Sequence, residues 1–154
     1  MYKRQTIYRR FANRDEVVMA VNARASIPVE PVDTGSLHGD IRAFIGHLAK
    51  SVSHRREHIV EALNAGSVTN PELDRAMRAK FIEPRLLELR GILARAKARG
   101  ELTSVPSTEV AASIISGPSY HRAFVLRLPL TPKFLATATT LAVDGLRAAA
   151  PRAR

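Results

Sequence analysis

The chain has no cysteine and no tryptophan. The first absence excludes disulfides, thiolate metal sites and cysteine nucleophiles, and agrees with a reducing compartment. Aromatic residues are scarce, with five phenylalanines and three tyrosines among 154 residues, so aliphatic side chains must build most of the core. Acid is also short. The 14 acidic side chains face 24 basic ones, for a formal charge of +10, a balance that attracts polyanions at low salt and favours nucleic acid or another anionic surface as partner. No apolar run approaches the roughly 18 residues of a membrane span, and the basic residues at the start precede no signal-peptide core. A cytoplasmic protein without a membrane partner is expected. The sequence also lacks a glycine-rich phosphate loop, a glycine-flanked serine nucleophile and paired carboxylates placed for acid and base work. No catalytic residue is assigned, and neither an enzyme nor a cofactor is expected. His54 and His58 stand one helical turn apart, but the "RRE" between them lacks the zincin arrangement and no cysteine completes a site, so no metal is expected.

What remains is helical periodicity nearly everywhere, in a composition 45% hydrophobic and 25% charged that suits an ordered all-α fold. Asn13 reads as an N-cap, with Asp15 and Glu16 in the first turn and Val17, Val18 and Val21 on the apolar face of a short helix. The "SIPVEPVDTG" that follows, with two prolines and a glycine, reads as a linker. Leu37, Ile41, Phe44, Ile45, Leu48 and Val52 then recur at spacings of three and four, predicting a helix with one buried stripe. A shorter helix is expected in "REHIVEALNAG", closed by Gly66. Asn70 and Pro71 supply a cap and a first-turn proline for a long helix ending at Gly100, with a kink or break at Pro84. Two further helices are predicted, "STEVAASIISGPSYHRAFVLRL" capped by Ser107 or Thr108 and bent at Gly117–Pro118, and "PKFLATATTLAVDGLRAAA" capped by Thr131. Their apolar and small residues cover more than one narrow stripe, so they are either central core elements of a monomer or are covered by a second subunit.

Specific chemistry concentrates in the opening segment. Lys3, Arg4, Arg9, Arg10 and Arg14 place positive charge without an intervening acid, Gln5 and Thr6 suit base edges or phosphate oxygens, and Tyr8 and Phe11 lie three apart. A short major-groove helix needs one face to read DNA and another held by its scaffold. The stretch "TIYRRFANRDEVVMAV", Thr6 to Val21, closely resembles the signature of the TetR/AcrR family of bacterial transcriptional regulators. It corresponds to the end of the helix-turn-helix and the start of the helix behind it. The resemblance implies that Arg4, Gln5, Thr6, Tyr8, Arg9 and Arg10 face DNA, that Phe11 packs inward, and that Arg14 meets the phosphate backbone. "ILARAKARGEL", Ile92 to Leu102, followed by a helix interrupted at a glycine-proline pair with Arg122 beyond it, resembles the regulatory domain of such proteins. Members normally carry two helices ahead of the recognition helix, whereas only Met1 and Tyr2 precede the basic run here, so a DNA-binding domain lacking its first two helices is expected.

The implied organisation is a helix-turn-helix remnant over residues 1–26, a linker over 27–36, and a helical ligand-binding and dimerisation domain over 37–150. The implied function is a ligand-responsive DNA-binding transcriptional regulator, a repressor, acting on double-stranded operator DNA in its complete form. The alternative is an effector-binding helical dimer without specific DNA binding; a small helical enzyme is a third reading with little behind it. The resemblance further implies a homodimer through the two C-terminal helices and a small apolar or aromatic effector. For the effector, residues on or beside the apolar helix faces are the candidates: Phe44, His47, Leu48, Leu63, Phe81, Leu87, Ile114, Tyr120, His121 and Phe124.

Overall fold

The computed structural model describes residues 31–52 and 57–149, and four of its α-helices begin at a side-chain cap. Helix α1, Leu37–Ser51, is capped by the Ser36 hydroxyl, which accepts from the Gly39 N–H at 3.1 Å. Helix α2 spans Glu57–Thr69 and α3 spans Pro71–Met77. The Asn70 side-chain oxygen accepts from the N–H groups of Glu72 (3.1 Å) and Leu73 (3.2 Å), and Pro71 follows at the first helical position, where its missing N–H costs nothing. A π-helical turn, Arg78–Ile82, leads into α4, Glu83–Ala98. Gly100, at φ +76°, lets the chain leave α4: its N–H donates to Lys97 O and that of Glu101 to Ala96 O, satisfying two terminal carbonyls. Helix α5, Thr108–Tyr120, is capped by Ser107 and runs into a second π-helical turn, His121–Val125. Helix α6, Pro132–Ala148, is capped by Thr131, whose hydroxyl accepts from Phe134 N–H at 3.2 Å. The described residues contain no strand; the fold is all-α. No described helix is long and apolar enough to cross a membrane.

Three local expectations change in detail. Gly66 does not end α2, which runs through it to Thr69; the boundary is set by the Asn70 cap of the next helix, and Asn70 N–H still donates to Gly66 O. The break expected near Pro84 takes the form of a π-helical turn: Arg78–Ile82 separates α3 from α4, and Pro84 stands in the first turn of α4. A proline there removes one N–H and crowds the carbonyl four residues back, and the chain answers by widening the preceding turn, so that Glu83 N–H donates to Arg78 O. Likewise α5 continues past Pro118 as far as Tyr120, and the adjoining turn is the one that widens, with Leu126 N–H donating to His121 O.

Helix α1 lies at the centre, against α4, α5 and α6. Its buried stripe, Leu37, Ile41, Phe44 and Ile45, meets Leu89, Ile92, Leu93 and Ala96 of α4, Ala111 and Ile115 of α5, and Ala142, Val143 and Leu146 of α6. Each fully buried leucine or isoleucine contributes about 1.5–3 kcal/mol over exposure, and this one cluster ties four helices together. Val32, within the stretch read as linker, is part of it. A second cluster joins Leu48 and Val52 to Ala123, with Tyr120, Phe124 and Leu130 packed around them. The expectations for residues 1–26, DNA-facing side chains included, and for His54 lie outside the described residues.

Candidate effector cluster, outer groove and exposed helical face

The second cluster brings together three of the ten expected effector residues, Leu48, Tyr120 and Phe124. Phe44 and Leu48 are buried one turn apart on α1 with His47 beside them. The rings of Tyr120 and Phe124 lie 5.5 Å apart, tilted by 32°, and pack against Leu48 from the α5 side. Two polar atoms here are shielded from solvent without a hydrogen-bond partner among the described residues: Nδ1 of His47 and the hydroxyl of fully buried Ser119. Nearby, the Arg85 guanidinium donates to Ser51 Oγ at 2.7 Å, and that hydroxyl donates to His47 O at 3.0 Å. Apolar rings beside unmatched polar atoms form the kind of surface that orients a small ligand. Ser119 and Arg85 were not among the sequence candidates; their significance depends on burial, which residue type alone does not report.

The other candidates lie apart. Phe81 is half-buried in the first π turn, and Leu63 is on α2 with its side chain outside the described set. His121 is exposed, Ile114 is 46% exposed and Leu87 is 67% exposed. Leu87 borders two open grooves on the outer side of α4: one of about 330 Å³ lined by Pro31, Val32, Pro84, Leu87, Glu88, Gly91 and Arg95, and one of about 460 Å³ reaching Ala79, Glu83, Leu86 and Arg90. Ile114 falls instead on an exposed stripe with Val110 and Val125, and Leu141 of α6 is 67% exposed. Among the described residues no cluster of histidine and carboxylate groups is placed to hold a metal.

A polar clasp closes the N-terminal end of α1, where the chain arrives from the basic segment. Fully buried Asp40 accepts from Thr34 N–H (2.6 Å), Thr34 Oγ1 (2.8 Å) and Arg99 Nη2 (3.2 Å). The Glu101 carboxylate accepts from Leu37 N–H at 3.0 and 2.9 Å and from Arg99 Nε at 2.7 Å, serving as a cap supplied from a distant part of the chain. Gly39 is required by this packing, because a Cβ there would come within 2.2 Å of Thr34 Oγ1. Arg95 donates to Val32 O and lies 3.6 Å from the Asp33 carboxylate.

Burial alone would raise the Asp40 carboxyl, but the hydrogen bonds from Thr34 and Arg99 outweigh it and hold it below the usual range. Glu101 is lowered chiefly by the Leu37 N–H, with Arg99 and Arg147 adding to the effect. Glu88 goes the other way: burial raises it, and the charges of Arg85 and Arg95 only partly offset that. The linkage signs therefore oppose. Asp40 and Glu101 stabilise the fold fully above the unfolded carboxylate range, and this is lost as pH falls through their lowered values; Glu88 opposes folding as pH rises through its raised value. The urea midpoint is expected to fall as pH drops below the ordinary carboxylate range, about pH 4. Glu88→Gln is expected to raise the midpoint near pH 7 and leave it unchanged near pH 3, which paired urea titrations measure directly.

Comparison with known proteins agrees with this architecture. Residues 31–142 match the family described as tetracyclin repressor-like, C-terminal domain. The chain is also 29% identical over 121 residues to an uncharacterized HTH-type transcriptional regulator, YdeS, of Bacillus subtilis (strain 168), across 78% of this chain and 61% of that protein. The match thus spans about three fifths of the relative's length. With residues 31–142 of its 154 inside the family match, the chain belongs to the tetracyclin repressor-like family through its C-terminal domain.

Proposed function

We propose that the chain is the effector-receiving and dimerising part of a DNA-binding transcriptional regulator, a repressor released by a small, largely apolar ligand. The observation that carries the reading is the convergence of Leu48, Tyr120 and Phe124, next to the unmatched His47 Nδ1 and Ser119 hydroxyl, inside a domain of this family. In this reading Phe44, His47, Leu48, Tyr120 and Phe124 surround the effector, with the imidazole and the Ser119 hydroxyl meeting its polar group. Leu87 faces the outer groove. Ile114 on α5 and His121 in the π-helical turn after it belong to an exposed face, which with α6 is the contact between two copies. Arg4, Gln5, Thr6, Tyr8, Arg9, Arg10 and Arg14 keep the DNA-facing role that their resemblance implies. The clasp at Asp40 and Arg99 joins the two functions, since it fixes the residues through which the chain enters the ligand-receiving helices.

A denaturation screen of apolar and aromatic compounds against the full chain tests the effector claim. A ligand present at 100 times its Kd stabilises by about 2.7 kcal/mol, a readily measured shift. At least one compound is expected to raise the midpoint saturably, and Phe124→Ala is expected to weaken its binding tenfold or more. A chain that no such compound stabilises, or a binder indifferent to Phe124→Ala, would count against the site.

A further inference from the structure

Round the helix from its core stripe, α4 presents Pro84, Leu87, Glu88, Gly91 and Arg95 to the groove of about 330 Å³, whose far wall is Pro31 and Val32. We propose that this groove is a second small-molecule site, separate from the effector cluster, for a neutral amide-type group carried on an apolar ring. The floor is bare because Gly91 has no side chain. Arg95 folds back across it: a Cβ on Gly91 would meet Arg95 Nη1 at 3.3 Å, which is the direction long side chains take on a helix. Glu88 and Arg95, about two turns apart on the same side of α4, therefore both border the floor at Gly91.

Each of the two groups is incompletely satisfied there. Glu88 Oε1 is shielded from water and lacks a hydrogen-bond partner among the described residues; Arg95 Nε is also shielded without a hydrogen bond, though the Asp33 carboxylate lies 3.6 Å from it. Arg95 Nη2 is committed to the far wall, donating to Val32 O. Shielded acceptors and donors without partners are uncommon and costly. A ligand group that donates to Glu88 while accepting from the Arg95 guanidinium gives the Glu88 carboxyl the partner it lacks.

Charge selects the ligand class. Arg85 and Arg95 both act electrostatically on Glu88, so a cationic ligand would add a third positive charge to one carboxylate. An anion would face Glu88 itself, with Asp33 already 3.6 Å from Arg95. A neutral donor–acceptor pair such as a carboxamide meets neither repulsion. Pro84, Pro31 and the 67% exposed Leu87 supply apolar surface for a ring, and the volume is at the lower end of the range for small-molecule pockets. Because Arg95 also holds the Val32 carbonyl, an occupant would be felt by the segment entering α1.

The test uses the full chain with benzamide, benzoate and benzamidinium, which share a ring and differ in charge, followed by saturation-transfer NMR and by backbone amide shifts. Benzamide is expected to bind saturably with a Kd of roughly millimolar order, as suits a molecule of its size. Its shifts should centre on residues 31–32 and 84–95. Benzoate and benzamidinium are expected to bind at least fivefold more weakly. Glu88→Ala, which removes an unmatched carboxyl, and Leu87→Gln, at an exposed position, should each weaken benzamide at least threefold with the fold intact. The proposal is overturned if a charged analogue binds best, or if benzamide is indifferent to both groove variants. It is equally overturned if none of the three binds saturably, the result expected where residues 1–30 or a second copy of the chain cover the groove.

Discussion

Leu141→Glu, alone or with Ile114→Glu, is expected to raise the dimer dissociation constant at least a hundredfold without unfolding the monomer. Both side chains stand substantially in solvent on a single copy, at 67% and 46% exposure, so a carboxylate there costs the isolated fold little. In a two-fold contact each substitution is presented twice, and a charge desolvated without a partner costs several kcal/mol. The surface is also chemically prepared for burial. The hydroxyls of Ser113, Thr137 and Thr140 each donate to the carbonyl four residues back, Glu109, Lys133 and Ala136 respectively. In the proposed dimer, methyl groups and satisfied hydroxyls would face the partner, so few polar groups would need new hydrogen bonds on association. Sedimentation equilibrium of wild type and variant over the micromolar range reads the change directly, and circular dichroism separates dissociation from unfolding.

The second large effect is expected at Asp40. Asp40→Ala removes the acceptor for Thr34 N–H, Thr34 Oγ1 and Arg99 Nη2 and leaves a gap beneath the turn that brings the chain into α1. Thr34 and Arg99 can recover part of their hydration, since Arg99 remains 28% exposed, so the loss should be about 2–3 kcal/mol, below that of a deeply buried pair. Asp40→Asn keeps one acceptor oxygen and should cost about half as much. The Asp40→Ala/Arg99→Ala double variant should lose clearly less than the sum of its singles, because the two groups share one contact. Urea titrations of the four proteins supply the cycle.

Local chemistry made much of the fold legible. The Asn70–Pro71, Ser107 and Thr131–Pro132 caps and the Gly100 stop depend on a few neighbouring residues, and the stripe from Leu37 to Val52 depends on one period. Tertiary facts were not legible. The Leu37 N–H is capped by Glu101, whose role exists only once α1 and the end of α4 meet. Val32 carries the composition of a linker around it yet packs into the core. Sequence flagged trouble at Pro84 and Pro118 but not its form, because a widened turn and a kink relieve the same lost hydrogen bond. The candidate site divides the same way. Leu48, Tyr120 and Phe124 meet because their faces were assigned from strong patterns, whereas Leu87 and Ile114 sit on helices with apolar residues on several sides, where pattern does not choose a face. Glu88, Ser119 and Arg85 went unnoticed because what distinguishes them is burial without partners or a reach across helices.

The proposed function requires that ligand received between α1 and α5 be felt where the chain enters the domain. Hydrogen–deuterium exchange of the full chain, with and without the tightest compound from the denaturation screen, tests it most directly. The account predicts slowed exchange at Phe44–Leu48 and Ser119–Phe124, together with altered exchange at Thr34–Leu37, where the Asp40 and Glu101 clasp holds the backbone. Protection confined to other helices, or protection at the cluster with Thr34–Leu37 unchanged, would contradict it.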